Sequence, residues 1–400
     1  MKLRSGSSTL DVRTSHRNNN VRNFKVERKE SEGGKNMLYN MDEVPLGFRE
    51  PYIKTGYRKP YITTWQSLQS LFHINNETFN IWSHLVTLIY FVVRYTSVLL
   101  VLRQASSPRR YFFYPMLSSA IGSWTVYAMS SIAHTFNSKS EEIHSALYFL
   151  DYAGISIYTY TSGQVMYYYN RPINTGWRIF ESALLYTSIG VFLSFTATFS
   201  CCLSKIAFKG NKTYATLTRV IPVFAGWLNT VLSLIVGVTL CTCNANTSFQ
   251  SFIACNDLLI TYFRRHCFCS ILAGVIYGSR LPERLLPGKF DIIGNSHHFL
   301  HVFSALATEY AFKILEVALE SRQYQKNELL AKSLVGITSV ETVLPTFVVF
   351  FGNIAIASCF VRSIFRKDFV NKKKWYEGNR GNLSVKFIYL AKPIEYAFMP

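Results

Sequence analysis

Hydrophobic positions along this chain fall into eight long blocks separated by short polar stretches: Asn80 to Leu102, Phe112 to His134, Ala146 to Tyr169, Ile179 to Leu203, Val220 to Thr242, Phe252 to Gly278, Ser296 to Leu319 and Val343 to Val361. Each block is close to the ~20 apolar residues that carry an α-helix across a hydrocarbon core of about 30 Å. The pattern predicts an all-α, polytopic bundle of seven transmembrane helices, followed by an extra C-terminal hydrophobic helix. Pro345 and Asn353 interrupt the eighth block, making it the least regular. Short connections between the middle blocks favour antiparallel neighbours, and no internal repeat suggests a transporter built from inverted halves.

The flanks read differently. Residues 1–41 are rich in Ser, Asn, Arg and Lys with few large apolar side chains, the composition of a disordered basic tail. Residues 42–79 form a juxtamembrane collar. Pro45, Phe48, Pro51, Tyr57 and Pro60 indicate irregular structure, and Trp65, Leu68, Leu71 and Phe72 then repeat at the spacing of an interfacial helix. Residues 80–319 hold the seven-helix domain, 320–361 a loop and the eighth helix, and 362–400 a second basic tail.

Composition supports a membrane solvent: hydrophobic residues make up 49% and charged residues 16% of the chain, against the roughly 25% charged usual for soluble domains. The net charge of +19 does not indicate nucleic acid, because thirteen Lys or Arg lie in residues 1–79 and nine in 362–400. Basic flanks place the amino terminus on the cytoplasmic side of a multi-pass protein, in the plasma membrane or endoplasmic reticulum, with the first span as an uncleaved anchor. Most of the eight cysteines read as apolar filler. Cys243 and Cys255 flank one short loop where a disulfide is an option, and Asn246 opens an N-x-[ST] match in it. Arg264, Arg265 and His266 interrupt the sixth block and predict an interior cavity or a kinked, partly buried helix there.

The chemistry-bearing residues sit at block ends. Ser130 and His134 close the second block, Asp151 opens the third, and His297 and His301 stand one helical turn apart at the start of the seventh. Alternate threading brings all five to one leaflet, with Asp151 about 7.5 Å into its span. Three imidazoles suit zinc and leave its fourth tetrahedral position open to water, as in catalytic rather than closed structural sites. Asp151 is then placed to accept the water's proton, and Ser130 to orient the water or a developing oxyanion. His144, His266 and His298 read as bystanders. Glu77, Asn80 and His84 read as hydrogen-bonding ties between collar and bundle, and Pro282, Pro287 and Gly288 as the turn that delivers the last two histidines, fixed by Arg284 and Asp291.

Five ordered motifs carry a family resemblance: EPYIKTGYR (Glu50 to Arg58), NETFNIWSHL (Asn76 to Leu85), SSIAHTF (Ser130 to Phe136), LDYAGI (Leu150 to Ile155) and RLPERLLPGKFDIIGNSHHFLH (Arg280 to His301). They resemble the progestin and adipoQ receptor family, which includes the adiponectin receptors, haemolysin III-like proteins and fungal membrane proteins of zinc homeostasis. Phe79 departs from the usual Gly of its motif, and His298 and Leu300 depart from the wording around the last two histidines. The resemblance implies a seven-helix bundle around a lipid-accessible cavity, zinc held by His134, His297 and His301, and Asp151 and Ser130 beside it. It also implies hydrolysis of ceramide-like lipid amides. A non-enzymatic receptor or sensor with structural zinc is the alternative, bound to a sterol or other lipid ligand and coupled to cytoplasmic signalling partners.

Overall fold

A computed structural model describes residues 38–106, 109–172, 175–208, 211–243, 255–323 and 337–378. The expected amino-terminal tail through residue 37, Asn246, and the last 22 residues lie outside them. Among the described residues the secondary structure is helical, apart from one antiparallel bridge between Tyr39 and Tyr57.

The collar contains two 3-10 turns, Met41–Glu43 and Leu46–Phe48, around a small core of Val44, Phe48, Ile53 and Tyr57. A short helix α1 (Thr64–Gln69) follows, capped by the Thr63 side chain and continued by a 3-10 turn over Ser70–Phe72. Trp65 and Phe72 are largely exposed, as an element lying along a membrane surface requires.

Among the described residues eight long helices follow: α2 (Thr78–Gln104), α3 (Phe113–Phe136), α4 (Glu141–Asn170), α6 (Ala183–Ala207) after the one-turn α5 (Arg178–Glu181), α7 (Lys212–Cys243), α8 (Asp257–Ser279), α9 (Ser296–Gln323) and α10 (Ser339–Gly378). Their ends obey capping chemistry. Ser140 accepts from the Ile143 amide ahead of Glu141 and Glu142, which complement the α4 dipole. Asn256 accepts from the Leu258 and Leu259 amides at the start of α8. Ser182 caps α6 and separates it from α5, so the fourth predicted block begins its long helix at Ala183 rather than Ile179. The eighth helix runs on past Val361 to Gly378.

Five of these helices, α2, α6, α7, α8 and α10, are long and apolar enough to cross a membrane. The other three carry more polar side chains: a row of buried serines on α3, buried Asp151 and Gln164 on α4, and the half-buried, ion-paired Glu309, Lys313 and Glu316 on α9. In a bilayer such groups are tolerated where protein satisfies them. α4 is the hub, packing on α3, α6, α7 and α10, while α9 packs on α8 and α2. The main core joins Phe91 and Tyr95 of α2, Tyr127 of α3, Tyr167 and Tyr169 of α4, and Phe312 and Leu315 of α9.

Two sequence expectations change. The disulfide joins Cys241, not Cys243, to Cys255, whose Cα atoms lie 5.6 Å apart, the separation that a disulfide spans. Of the three polar residues in the sixth block, only His266 is buried. Its ring nitrogen Nδ1 meets the Ala307 carbonyl at 2.9 Å, whereas Arg264 and Arg265 lie on the exposed side of α8. An unkinked helix cannot turn three consecutive residues to one face.

Candidate metal centre

The carboxyl end of α3 and the first turn of α9 meet. His134 is buried near the end of α3; His297 and His301 project from successive turns of α9. His297 Nε2 lies 3.2 Å from His134 Nε2 and 3.2 Å from His301 Nε2. Ligand atoms of all three rings fall within 4.8 Å of one another, a cluster that could hold a metal ion. Bonds of 2.0–2.1 Å to a tetrahedral ion imply nitrogen-to-nitrogen edges of about 3.3 Å, so the donor set fits such an ion.

The far sides of two rings settle their tautomers. His134 Nδ1 faces the Glu77 carboxylate at 2.8 Å, which can only accept, so this nitrogen carries the proton. Ser83 Oγ lies 2.9 Å from His301 Nδ1 and, by donating to the Asn80 carbonyl at 3.1 Å, is free to accept from that ring nitrogen. In both rings the Nε2 lone pair is left for a metal, the arrangement by which second-layer partners orient ligands. His84 completes this face of α2, its ring stacked on His301 at 3.6 Å between centroids and tilted by 11°.

Glu77 does more than hold one ring. Its carboxylate also accepts from Asn80 and Asn137, each at 2.8 Å. Buried Arg58 of the collar spans the same point, donating to the carbonyls of His134 at 2.6 Å and Thr135 at 2.8 Å and to Asn137 Oδ1 at 2.6 Å. Burial alone would raise the Glu77 carboxyl; the neighbouring His134 and Arg58 outweigh it and hold the group below the ordinary carboxylate range. The NETFNIWSHL segment is therefore both the expected tie and the outer layer of the histidine cluster. Its signal in sequence is the spacing of Glu77, Asn80 and His84, which puts them on one helix face.

The turn before α9 is equally specific. Asn295 Oδ1 accepts from the His297 and His298 amides, each at 3.1 Å. The Glu283 carboxylate takes the Ser296 amide at 2.7 Å and the Ser296 hydroxyl. Asp291 binds the collar through the Lys54 and Thr55 amides, as expected, but Arg284 is exposed and Glu283 does the fixing attributed to it. Gly288 and Gly294 adopt positive φ in this turn, at 93° and 87°. His298, the expected bystander, packs on Phe79 at 4.6 Å and accepts from the Gly294 amide.

Asp151 is buried on α4. Ser130 is buried one turn before His134. On the other side of the cluster the Tyr277 ring lies 6.3 Å from His297, and Arg219 of α7 donates to the Tyr277 hydroxyl at 3.1 Å. Arg219 has no carboxylate within ion-pair distance among the described residues and stands near Tyr152. The structure thus gathers three converging imidazoles, with Asp151 and Ser130 buried on the neighbouring helices and Arg219 reaching the Tyr277 hydroxyl.

Comparison with known proteins agrees with this architecture. The sequence signature of the family described as Haemolysin-III related matches residues 72–312, which include every site residue named above except the collar residues Lys54, Thr55 and Arg58. Membrane progestin receptor gamma-A of Danio rerio is 27% identical over 353 residues, covering 84% of this chain and 97% of that protein. Membrane progestin receptor gamma of Mus musculus is 30% identical over 74% of this chain and 84% of its own length. Membrane progestin receptor alpha of Cynoscion nebulosus is 28% identical over 67% and 72%. With helices apolar enough to cross a membrane and these relatives, the chain is an integral, multi-pass membrane protein that belongs to the haemolysin-III related, progestin and adipoQ receptor family.

Proposed function

We propose that this protein is a zinc-dependent hydrolase of the membrane interior, acting on the amide of a ceramide-like lipid and so adjusting lipid signalling and zinc homeostasis. The observation that carries the reading is the convergence of three imidazoles, with His297 Nε2 3.2 Å from the Nε2 atoms of both His134 and His301 and the Nδ1 atoms of those two rings engaged elsewhere. Zinc bound there supplies Lewis acidity toward a carbonyl and toward water. The remaining work falls to the chain. Asp151, buried on α4, accepts a proton from the attacking water and returns it to the leaving amine. Ser130 offers a hydroxyl to the oxygen that gains charge. Arg219, with its Tyr277 contact, receives the carboxylate that hydrolysis creates.

In this reading the basic amino-terminal segment faces the cytoplasm, and the histidines occupy the cytoplasmic leaflet. The alternative is a lipid receptor whose zinc is structural and whose tails meet cytoplasmic partners; the relatives' names, membrane progestin receptors, favour a sterol ligand for it. One experiment separates the two. Purified protein is assayed for bound metal by elemental analysis and for fatty-acid release from labelled ceramides, beside His134→Ala and Asp151→Asn. The hydrolase requires zinc near one per chain and turnover lost in both variants. Zinc without turnover selects the receptor, and absence of zinc from native material overturns both.

A further inference from the structure

Away from the histidines, the seam between α8 and α9 has a different chemistry. The helices run antiparallel: Tyr277 lies by His297, His266 bonds the Ala307 carbonyl, Arg265 lies over the Tyr310 ring at 5.7 Å, and Lys313 over the Tyr262 ring at 5.4 Å. From His297 to Tyr310 is about 20 Å along α9, and Arg264 lies about 11 Å below the Asp257 end of α8. This places the two arginines inside the hydrocarbon, in the leaflet opposite the histidines.

The charges there do not balance. Arg94 of α2 pairs with Glu316 at 2.9 Å and with Glu309 at 3.9 Å, and Lys313 pairs with Glu309 at 3.7 Å. Two carboxylates therefore serve two cations. Arg264 and Arg265 add two more, and neither has a carboxylate within ion-pair distance among the described residues. Both are exposed, and the same helix shows Phe268, Ile271 and Val275 on its surface, at 65%, 50% and 59% exposure. Unpaired guanidinium groups on a lipid-facing apolar surface are costly unless an anion meets them. At this depth the available anion is a headgroup phosphate, which arginine binds bidentately and reaches by extending its aliphatic stem toward the interface.

We propose that Arg264 and Arg265 form a binding site for the phosphate of an anionic phospholipid in the leaflet opposite the metal centre. Two guanidinium groups outside the ion pairs favour a lipid of net negative charge over a zwitterionic one, whose ammonium group offsets its phosphate. Tyr310 braces Arg265, and the α2 to α9 ion pairs keep Glu309 and Glu316 from competing for it.

The test uses the full chain in mild detergent, offered equimolar phosphatidylglycerol and phosphatidylcholine of identical acyl chains, with retained lipid read by native mass spectrometry. Wild type retains phosphatidylglycerol preferentially, by about fivefold per arginine. Arg264→Gln with Arg265→Gln abolishes the preference, Arg264→Lys with Arg265→Lys keeps most of it, and Arg362→Gln with Arg366→Gln, at the other end of the bundle, leaves it unchanged. Equal retention of the two lipids by wild type, or a preference surviving the double Gln change, overturns the site. Displacement of the bound lipid by millimolar inorganic phosphate overturns the lipid as its occupant.

Discussion

Glu77 and Ser83 fix which nitrogen of His134 and His301 carries a proton, and a metal ligand is only as good as its tautomer. Glu77→Gln retains an acceptor oxygen but not the charge; Ser83→Ala removes the acceptor from His301 altogether. Each is expected to weaken metal binding by 10- to 100-fold, read by titration against a chelator of known affinity, with Glu77→Ala at the upper end because Asn80 and Asn137 also lose their partner. Unchanged affinity in both would mean that the α2 face is scaffolding alone. The ligands themselves were legible, since a His pair at i, i+4 can be read off the chain. Their supports were not, because whether Ser83 or its neighbours face His301 depends on the rotation of α2 about its axis. Phe79 and His298 make the same point: each departs from the family wording separately, and only the fold shows that the two rings pack together.

Between helices, close approach is set by small residues and register by buried polar pairs, as expected where lipid tails provide no hydrophobic drive for association. A Cβ placed on Gly122 of α3 would come 1.8 Å from Thr161 Oγ1 and 2.9 Å from Thr161 Cβ on α4. Gly122→Ala is therefore expected to destabilise by about 1–3 kcal/mol despite alanine's better helix propensity, and Thr161→Ala in the same chain should recover part of the loss in thermal unfolding. A chain in which Gly122→Ala raised stability would show that these helices have slack. α10 docks by polar contacts: Asn353 Nδ2 donates to Ser194 Oγ at 2.9 Å, and Gln164 Nε2 donates to the Thr342 carbonyl at 3.1 Å. Asn353→Ala should cost about 1 kcal/mol, measured as a lower unfolding midpoint, and an effect confined to α10 would appear as faster proteolysis after residue 323. The residues that weaken the eighth block as an apolar run, Pro345 and Asn353, thus include one that attaches it. Hydropathy alone cannot distinguish a polar residue that breaks a span from one that docks it.

For the molecule as a whole, the histidine cluster joins segments remote in sequence. His134 arrives at the end of α3, His297 and His301 at the start of α9, their partners come from α2, and Arg58 ties the collar to the same point. An ion bound there closes a loop of more than 160 residues and binds only the folded arrangement, so it stabilises by mass action, by about 4 kcal/mol at a thousandfold excess over its Kd. Stripping the protein with a strong chelator is expected to lower Tm by on the order of 5 °C or more, and stoichiometric zinc should restore it. His297→Ala should unfold near the stripped wild-type temperature and respond to neither chelator nor zinc. Its own loss is confined to one ring, because His134 and His301 keep their Nδ1 partners. A chelator shift that persisted in His297→Ala would place the stabilising ion elsewhere. No shift in wild type, with metal shown to leave, would mean that α2, α3 and α9 hold the histidines together without help from the ion, and the centre would then be a preformed site whose binding energy is available for chemistry.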